Sequence, residues 1–202
     1  MDHVTHYLMS FATGGLYINE SLAVAEFHRP GTDWDATAVA ARQAGAFPVR
    51  KASSAQRSIR EIVNRLRCLR PHELEAFQTG NRSEQAALLW LAACRAYRFI
   101  GEFVVEVVAD RYASFRLKLT YDDFDAYYAA KAEWSPQLAG LSQSTRAKLR
   151  AVLFRMMREA DILSSGDTIT GAMLSSRLLA IIRSHDPLDL GFFPGADRRG
   201  QG

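Results

Sequence analysis

Cysteine is scarce: Cys68 and Cys94 are the only two in 202 residues, and neither lies in a cluster of further cysteine and histidine. A disulfide framework needs more bridges and a structural zinc site needs grouped ligands, so neither is expected, and a reducing compartment, the cytoplasm, is. Long hydrophobic runs are also missing. The longest, "AALLWLAAC" from Ala86, is about half the length of a bilayer span. The opening "MDHVTHYLMSFATGG" has no basic region followed by an apolar one, which argues against a signal peptide. A soluble chain without a membrane partner is the expectation. Strand-like alternation is confined to "FRLKL" and to a potential hairpin, "ILSSGDTITGAML", about Gly166 and Asp167. "TGG" at Gly14 lacks the context of a phosphate loop and reads as a tight turn. His3, His6, His28, His72 and His185 have no ligand spacing, although His3 and His6 could pick up a stray metal. No cofactor, no resident metal and no catalytic residue are expected.

What the chain does contain is helix signal. With 48% hydrophobic residues it can bury a full core, and the pattern predicts an all-α, compact multi-helix globule with at most one small β-hairpin. One domain over 1–190 is expected, with lobes of about 1–80 and 81–190 as the alternative division and a flexible tail at 191–202. Asn19 is a candidate cap for "NESLAVAEFHR", and "TDWDATAVAARQAG" runs from Thr32 or Asp33 to a terminating Gly45. Ile59, Ile62, Val63, Leu66 and Leu69 form one apolar stripe that Pro71 stops, and "PHELEAF" ends near Gly80. The segment from Ser83 is apolar on most sides and predicts a central helix, or two meeting near Gly101. Thr120 and Asp123 make a capping box, and Leu149, Val152, Leu153, Met156 and Ala160 mark a face of a helix from about Ser144 to Ala160.

Charge is distributed unevenly for a chain of net +3. "RKASSAQRSIREIVNRLRCLR", residues 50–70, sets seven Arg or Lys against Glu61 alone. At 100° per residue Ser53, Arg57, Arg60, Asn64 and Arg67 fall on one line, with Lys51 at its start. Such a row suits phosphate oxygens, because guanidinium and small polar groups donate to them without selecting a base. Lys148, Arg155 and Arg158 repeat this chemistry on the Ser144 helix, with Arg146 and Arg150 on one flank. A solvated face paired with carboxylates elsewhere is the plain alternative for both rows. Neither helix follows the tight turn of a helix-turn-helix, and a winged arrangement would place the 162–174 hairpin directly after the Ser144 helix. Asp122 and Asp125 share a face that could hold Mg²⁺, yet acids in a first turn more simply complement the helix dipole. Glu102 and Glu106 read as intrahelical partners of Arg95 and Arg98.

The ordered segments "SFATGGLYINES", "SSAQRSIREIVNRL", "LLWLAACRAYRFIGEFVVEV", "YDDFDAYYAAKAEW", "STRAKLRAVLFRMMREADIL" and "LLSSRLL" together resemble the BrxA family, small core proteins of bacteriophage-exclusion (BREX) defence systems. The likeness runs from about Ser10 to Leu179. It implies a compact, non-enzymatic, all-helical protein that binds double-stranded DNA, with helix-turn-helix-like elements, a positive surface and a fold similar to the NusB antitermination factor. The family supplies no catalytic motif to carry over, so the binding assignment rests on the residues named above. Other BREX subunits are the expected protein partners and a monomer the expected state. Two alternatives stay open: a NusB-like RNA-binding module, and a protein adaptor anchored by "DLGFFP".

Overall fold

The computed structural model describes residues 6–12, 14–46 and 52–196, with side chains described from residue 54 within the third helix. The α-helices among them are α1 (Ile18–Ala25), α2 (Trp34–Gln43), α3 (Ala52–Leu66), α4 (Pro71–Thr79), α5 (Arg82–Ala96), α6 (Arg98–Phe103), α7 (Asp110–Ala113), α8 (Tyr121–Ala132), α9 (Pro136–Ala139), α10 (Gln143–Glu159) and α11 (Ser176–His185). A π-helical stretch, Val104–Ala109, joins α6 to α7, and a 3₁₀ segment, Pro187–Phe192, follows α11.

Helix α5 is the axis because its sequence leaves it no polar side: every residue from Ala86 to Cys94 is buried. Asn81 and Glu84 start it with a reciprocal capping box. Helices α1, α3, α4 and α10 and the 3₁₀ segment pack around it. One hydrophobic cluster runs from Tyr7 to Ala196 and joins both ends of the chain. An aromatic group locks α6 to α8: Phe99 meets the rings of Phe124, Tyr127 and Tyr128 edge-on, with centroids 5.3 to 5.9 Å apart. Each such contact adds roughly 0.5–1.5 kcal/mol to the burial itself.

Several boundaries differ from the sequence expectation. Asn19 does not cap α1. Tyr17 stands at the cap in a left-handed conformation, φ 57°, and the Asn19 Oδ1 instead accepts a 2.6 Å bond from Arg82. The central segment breaks at Tyr97, not at Gly101. Gly101 serves close approach: a Cβ there would lie 2.9 Å from the Cys94 carbonyl and 3.1 Å from the Phe192 ring. The packed chain also reaches beyond residue 190. Phe193 and Ala196 are buried, and the Trp90 Nε1–H donates to the Phe192 carbonyl at 2.9 Å. Residues 197–202 of the expected tail lie outside the described residues.

The hairpin region is richer than a loop. Leu163 bridges Ile169 and Lys118 bridges Thr168, both antiparallel. The Ile169 N–H donates to Leu117 O, the Leu119 N–H to Asp167 O, and the Thr170 N–H to Ile162 O. Segment 168–170 is therefore the middle of three short extended stretches, with 117–119 on one side and 162–164 on the other. The stretch 117–119 directly precedes α8, and 162–164 directly follows α10.

Candidate nucleic-acid interface

Helix α10 begins at Ser142, whose hydroxyl accepts the Thr145 N–H at 3.2 Å. Leu149, Leu153, Phe154, Met156 and Met157 face the core. Opposite them, Ser144, Ala147, Lys148, Ala151 and Arg155 form a solvent-facing strip. The small residues keep that strip low, so a large surface could approach the backbone with the two cations projecting toward it.

The cations of this helix have distinct duties. Lys148 is exposed and makes no ion pair or hydrogen bond with the described residues. Arg155 keeps its Nε on Glu159 at 2.7 Å, but its side chain is largely open to solvent. Arg158, expected in the binding row, is directed inward: Nε and Nη2 donate to Asp167 Oδ1 at 2.9 and 2.6 Å, and so tie α10 to the hairpin turn. Arg146 and Arg150 hold α8 by sharing Asp125, and their guanidiniums lie over the rings of Tyr128 and Tyr121 at 5.1 and 4.4 Å. Asp125 is thus already engaged by two arginines, which removes it from an Asp122 and Asp125 cation site. Among the described residues no group of three or more metal-ligating side chains occurs.

On α3 the apolar stripe of Ile59, Ile62, Val63 and Leu66 is buried as expected. Arg57 and Arg60 are exposed and unpartnered among the described residues. Arg67 lies just past the helix end, 3.9 Å from Asp35, in an open pair of little energetic weight. Asn64 departs from the expected row: it is half-buried and its amide nitrogen has no partner among the described residues. Lys51 and the Ser53 side chain lie outside the described residues.

Arg65, unremarked in the sequence as anything but one more positive charge, is the deepest member of the basic stretch, 1% exposed. Its Nη1 donates to the Gly15 carbonyl at 2.6 Å, and its guanidinium sits 5.9 and 5.6 Å from the ring centres of Tyr17 and Tyr97. Tyr97 in turn donates to the buried Glu61 carboxylate. From the other side, Glu159 of α10 accepts the Leu16 N–H at 2.5 Å. The turn from Gly14 to Tyr17 is therefore held by α3 through Arg65 and by α10 through Glu159. Gly15 permits this, since a Cβ there would come within 2.3 Å of the Glu159 carboxylate.

The intrahelical reading of Glu102 and Glu106 with Arg95 and Arg98 needs two corrections, the first being that Glu106 takes Lys131 of α8 at 2.8 Å. Arg98 does pair with Glu102, at 2.5 Å, but Arg95 turns to Glu73 and Asp189, each at 2.6 Å, and joins α4, α5 and the 3₁₀ segment. Hydrophobicity periods carry no information about such long-range partners. No helix among the described residues is long and apolar enough to cross a membrane.

Comparison with known proteins gives a consistent picture. The family model described as BrxA matches residues 5–186. A curated relative from Paramagnetospirillum magneticum, "BREX protein BrxA", is 21% identical over 182 residues, covering 89% of this chain and 92% of the relative. A crystal structure of an uncharacterised protein from Magnetospirillum magneticum superposes with a TM-score of 0.77 at 20% identity, over 94% of this chain and 98% of the other. That likeness establishes a shared fold.

Proposed function

The chain belongs to the BrxA family, and from that premise we propose that it is a non-enzymatic, double-stranded DNA-binding accessory of a BREX phage-defence system. The reading rests on one observation above all. Helix α10, with its low strip and unpaired Lys148, is followed by a hairpin whose inner stretch 168–170 pairs with 117–119 from before α8. Stretch, helix, helix, then hairpin, with the last stretch in the middle, is the connectivity of a winged helix-turn-helix unit. In such units the second long helix enters a groove and the hairpin lies against the backbone. The linker between α8 and α10 is longer than in a tight helix-turn-helix because α9 is inserted in it.

Arg57, Arg60 and Arg67 on α3, with Lys148 and Arg155 on α10, supply the phosphate contacts in this reading. Arg158 acts indirectly, by fixing the hairpin against the helix. Methylation and motor chemistry would reside in other subunits of the system, which are the protein partners this reading implies. About five engaged phosphates give a slope of log K against log salt near 4 to 5 in magnitude. Titration of a labelled duplex at several salt concentrations tests this, with stem-loop and unpaired RNA as competitors. Saturable duplex binding with that slope supports the reading; a stronger grip on stem-loop RNA than on duplex DNA rejects it in favour of an RNA module.

A further inference from the structure

A cationic groove lies between α2 and α3 and shares Arg60 and Arg67 with the surface proposed above. Arg42 of α2 and Arg60 and Arg67 of the α3 segment line it, against the single acid Asp35. Its volume is about 120 Å³, below the roughly 300–1,000 Å³ of small-molecule sites, so what it offers a polyanion is its guanidiniums. Asp35 of this groove follows Trp34, the first residue of α2, which lines a larger cavity of about 520 Å³ with His28, Pro30, Leu69, Leu74 and the carboxylate of Glu75, among others. This larger volume falls within that range.

The indole there is pre-positioned. The His28 ring stacks on it with centroids 3.8 Å apart and planes 6° from parallel, and His28 Nδ1 is held 3.0 Å from Thr37 Oγ1. Burial pushes the His28 pKa down, which keeps the imidazole neutral and the cavity wall apolar. Proline, leucine and a flat aromatic pair form a surface for another flat ring. Guanidiniums leading to such a wall are the elements by which proteins hold unpaired strands, with arginines along the backbone and aromatic faces for the bases. An acidic peptide would use the arginines but leave the stacked pair without a matching partner.

We propose that the α2 and α3 groove holds a short single strand of DNA, its phosphates on Arg42, Arg60 and Arg67 and one base in the Trp34 and His28 cavity. This goes beyond duplex docking, with which it shares Arg60 and Arg67, and gives the protein a means of engaging DNA where a strand is open.

The test uses fluorescein-labelled dT10 and a ten-unit abasic strand of the same charge, titrated against the full chain by anisotropy. The abasic strand is expected to bind roughly five- to a hundredfold more weakly, the range for loss of one stacked base. Trp34→Leu, which retains apolar volume without a ring, is expected to erase that difference, and Trp34→Phe to retain part of it. Arg42→Gln is expected to lower the salt slope for dT10 by about 0.7. Because Arg60 and Arg67 belong to both readings, the sites are told apart by the residues they do not share: Lys148→Gln should weaken duplex binding without changing dT10 binding, and Arg42→Gln should weaken dT10 binding without changing duplex binding. Equal affinity for dT10 and the abasic strand, or no dT10 binding at all, overturns the proposal. If Trp34→Leu does not fold, the strand comparison on the unaltered protein and the Arg42→Gln slope decide the question.

Discussion

Arg158 near the end of α10 and Asp167 in the hairpin turn form a two-point contact, with Nε and Nη2 of one on Oδ1 of the other. Asp167 has φ 57°, in the left-handed region where Asp and Asn are among the tolerated residues. Lys118 adds a 2.5 Å bond from Nζ to the Gly166 carbonyl, so both flanking segments hold the same turn. Asp167→Asn retains the backbone preference and removes the charge. Because both side chains are about a third exposed, the stability cost is expected to be about 0.2–1 kcal/mol. The expected functional result is larger: a severalfold loss of duplex affinity at unchanged salt slope, since no phosphate contact is deleted. Chemical denaturation and duplex titration on the same sample separate the two effects.

Arg95 is the strongest internal ionic junction described. It donates to both oxygens of Glu73, to Asp189 and to the Cys68 carbonyl, and Glu73 is 0% exposed. Arg95→Met leaves that carboxylate buried without its partner, so a loss of about 3–5 kcal/mol is expected. Urea denaturation measures it. Arg95→Met together with Glu73→Gln should recover much of the loss, because the stranded charge is then gone.

Acid should unfold the protein in a defined window. Burial alone would raise the carboxyls of Glu73, Glu102 and Asp123, but hydrogen bonds and charge from Arg95, Lys131 and Thr120 with Arg111, respectively, outweigh it and hold all three below the ordinary carboxylate range. A depressed folded pKa contributes stability that is fully present above the unfolded value, about 4, and disappears as pH falls through the folded one. Stability should decline modestly as pH falls through about 6.5, where His28, held neutral by burial, takes up a proton only on unfolding, and fall steeply below about 4. A denaturation series across that range would contradict this if stability stayed level from pH 5 down to 3.

Both thiols should be slow to react. Burial pushes Cys94 far up and Cys68 up, the latter partly opposed by Arg95 and Arg67, so little thiolate exists at neutral pH. A chromogenic disulfide reagent is expected to titrate them at the rate of unfolding for Cys94, and faster but incompletely for Cys68. Prompt stoichiometric labelling of Cys94 in native buffer would contradict the buried placement.

Much of the helical plan was legible because it is written in local signals. The capping box at Thr120, Gly45 after α2, and the apolar stripe from Ile59 to Leu66 each act within a turn or two, whereas the central helix starts at an Asn81 cap and not at the expected Ser83. What remained hidden is long-range. Tyr17 capping α1 depends on a turn held by Arg65 and Glu159, which are about 50 and 140 residues away in sequence. The same cause divided the basic rows. Helical angles placed Arg57, Arg60, Asn64 and Arg67 together, but not that Asn64 would be half covered, that Arg65 would be drawn into the core, or that Arg158 would find Asp167. Pairing of 117–119 with 168–170 was equally unreadable, since each stretch is three residues long and the two lie far apart in the chain.

The most direct test of duplex binding by two cationic helices is a neutralisation series on one labelled duplex, comparing the unaltered chain with Arg57→Gln, Lys148→Gln and the double variant across a range of salt concentrations. The account predicts that each single change lowers the magnitude of the log K against log salt slope by about 0.9 and that the double change lowers it by about 1.8. Slopes and affinities identical to the unaltered chain in all three variants would contradict it.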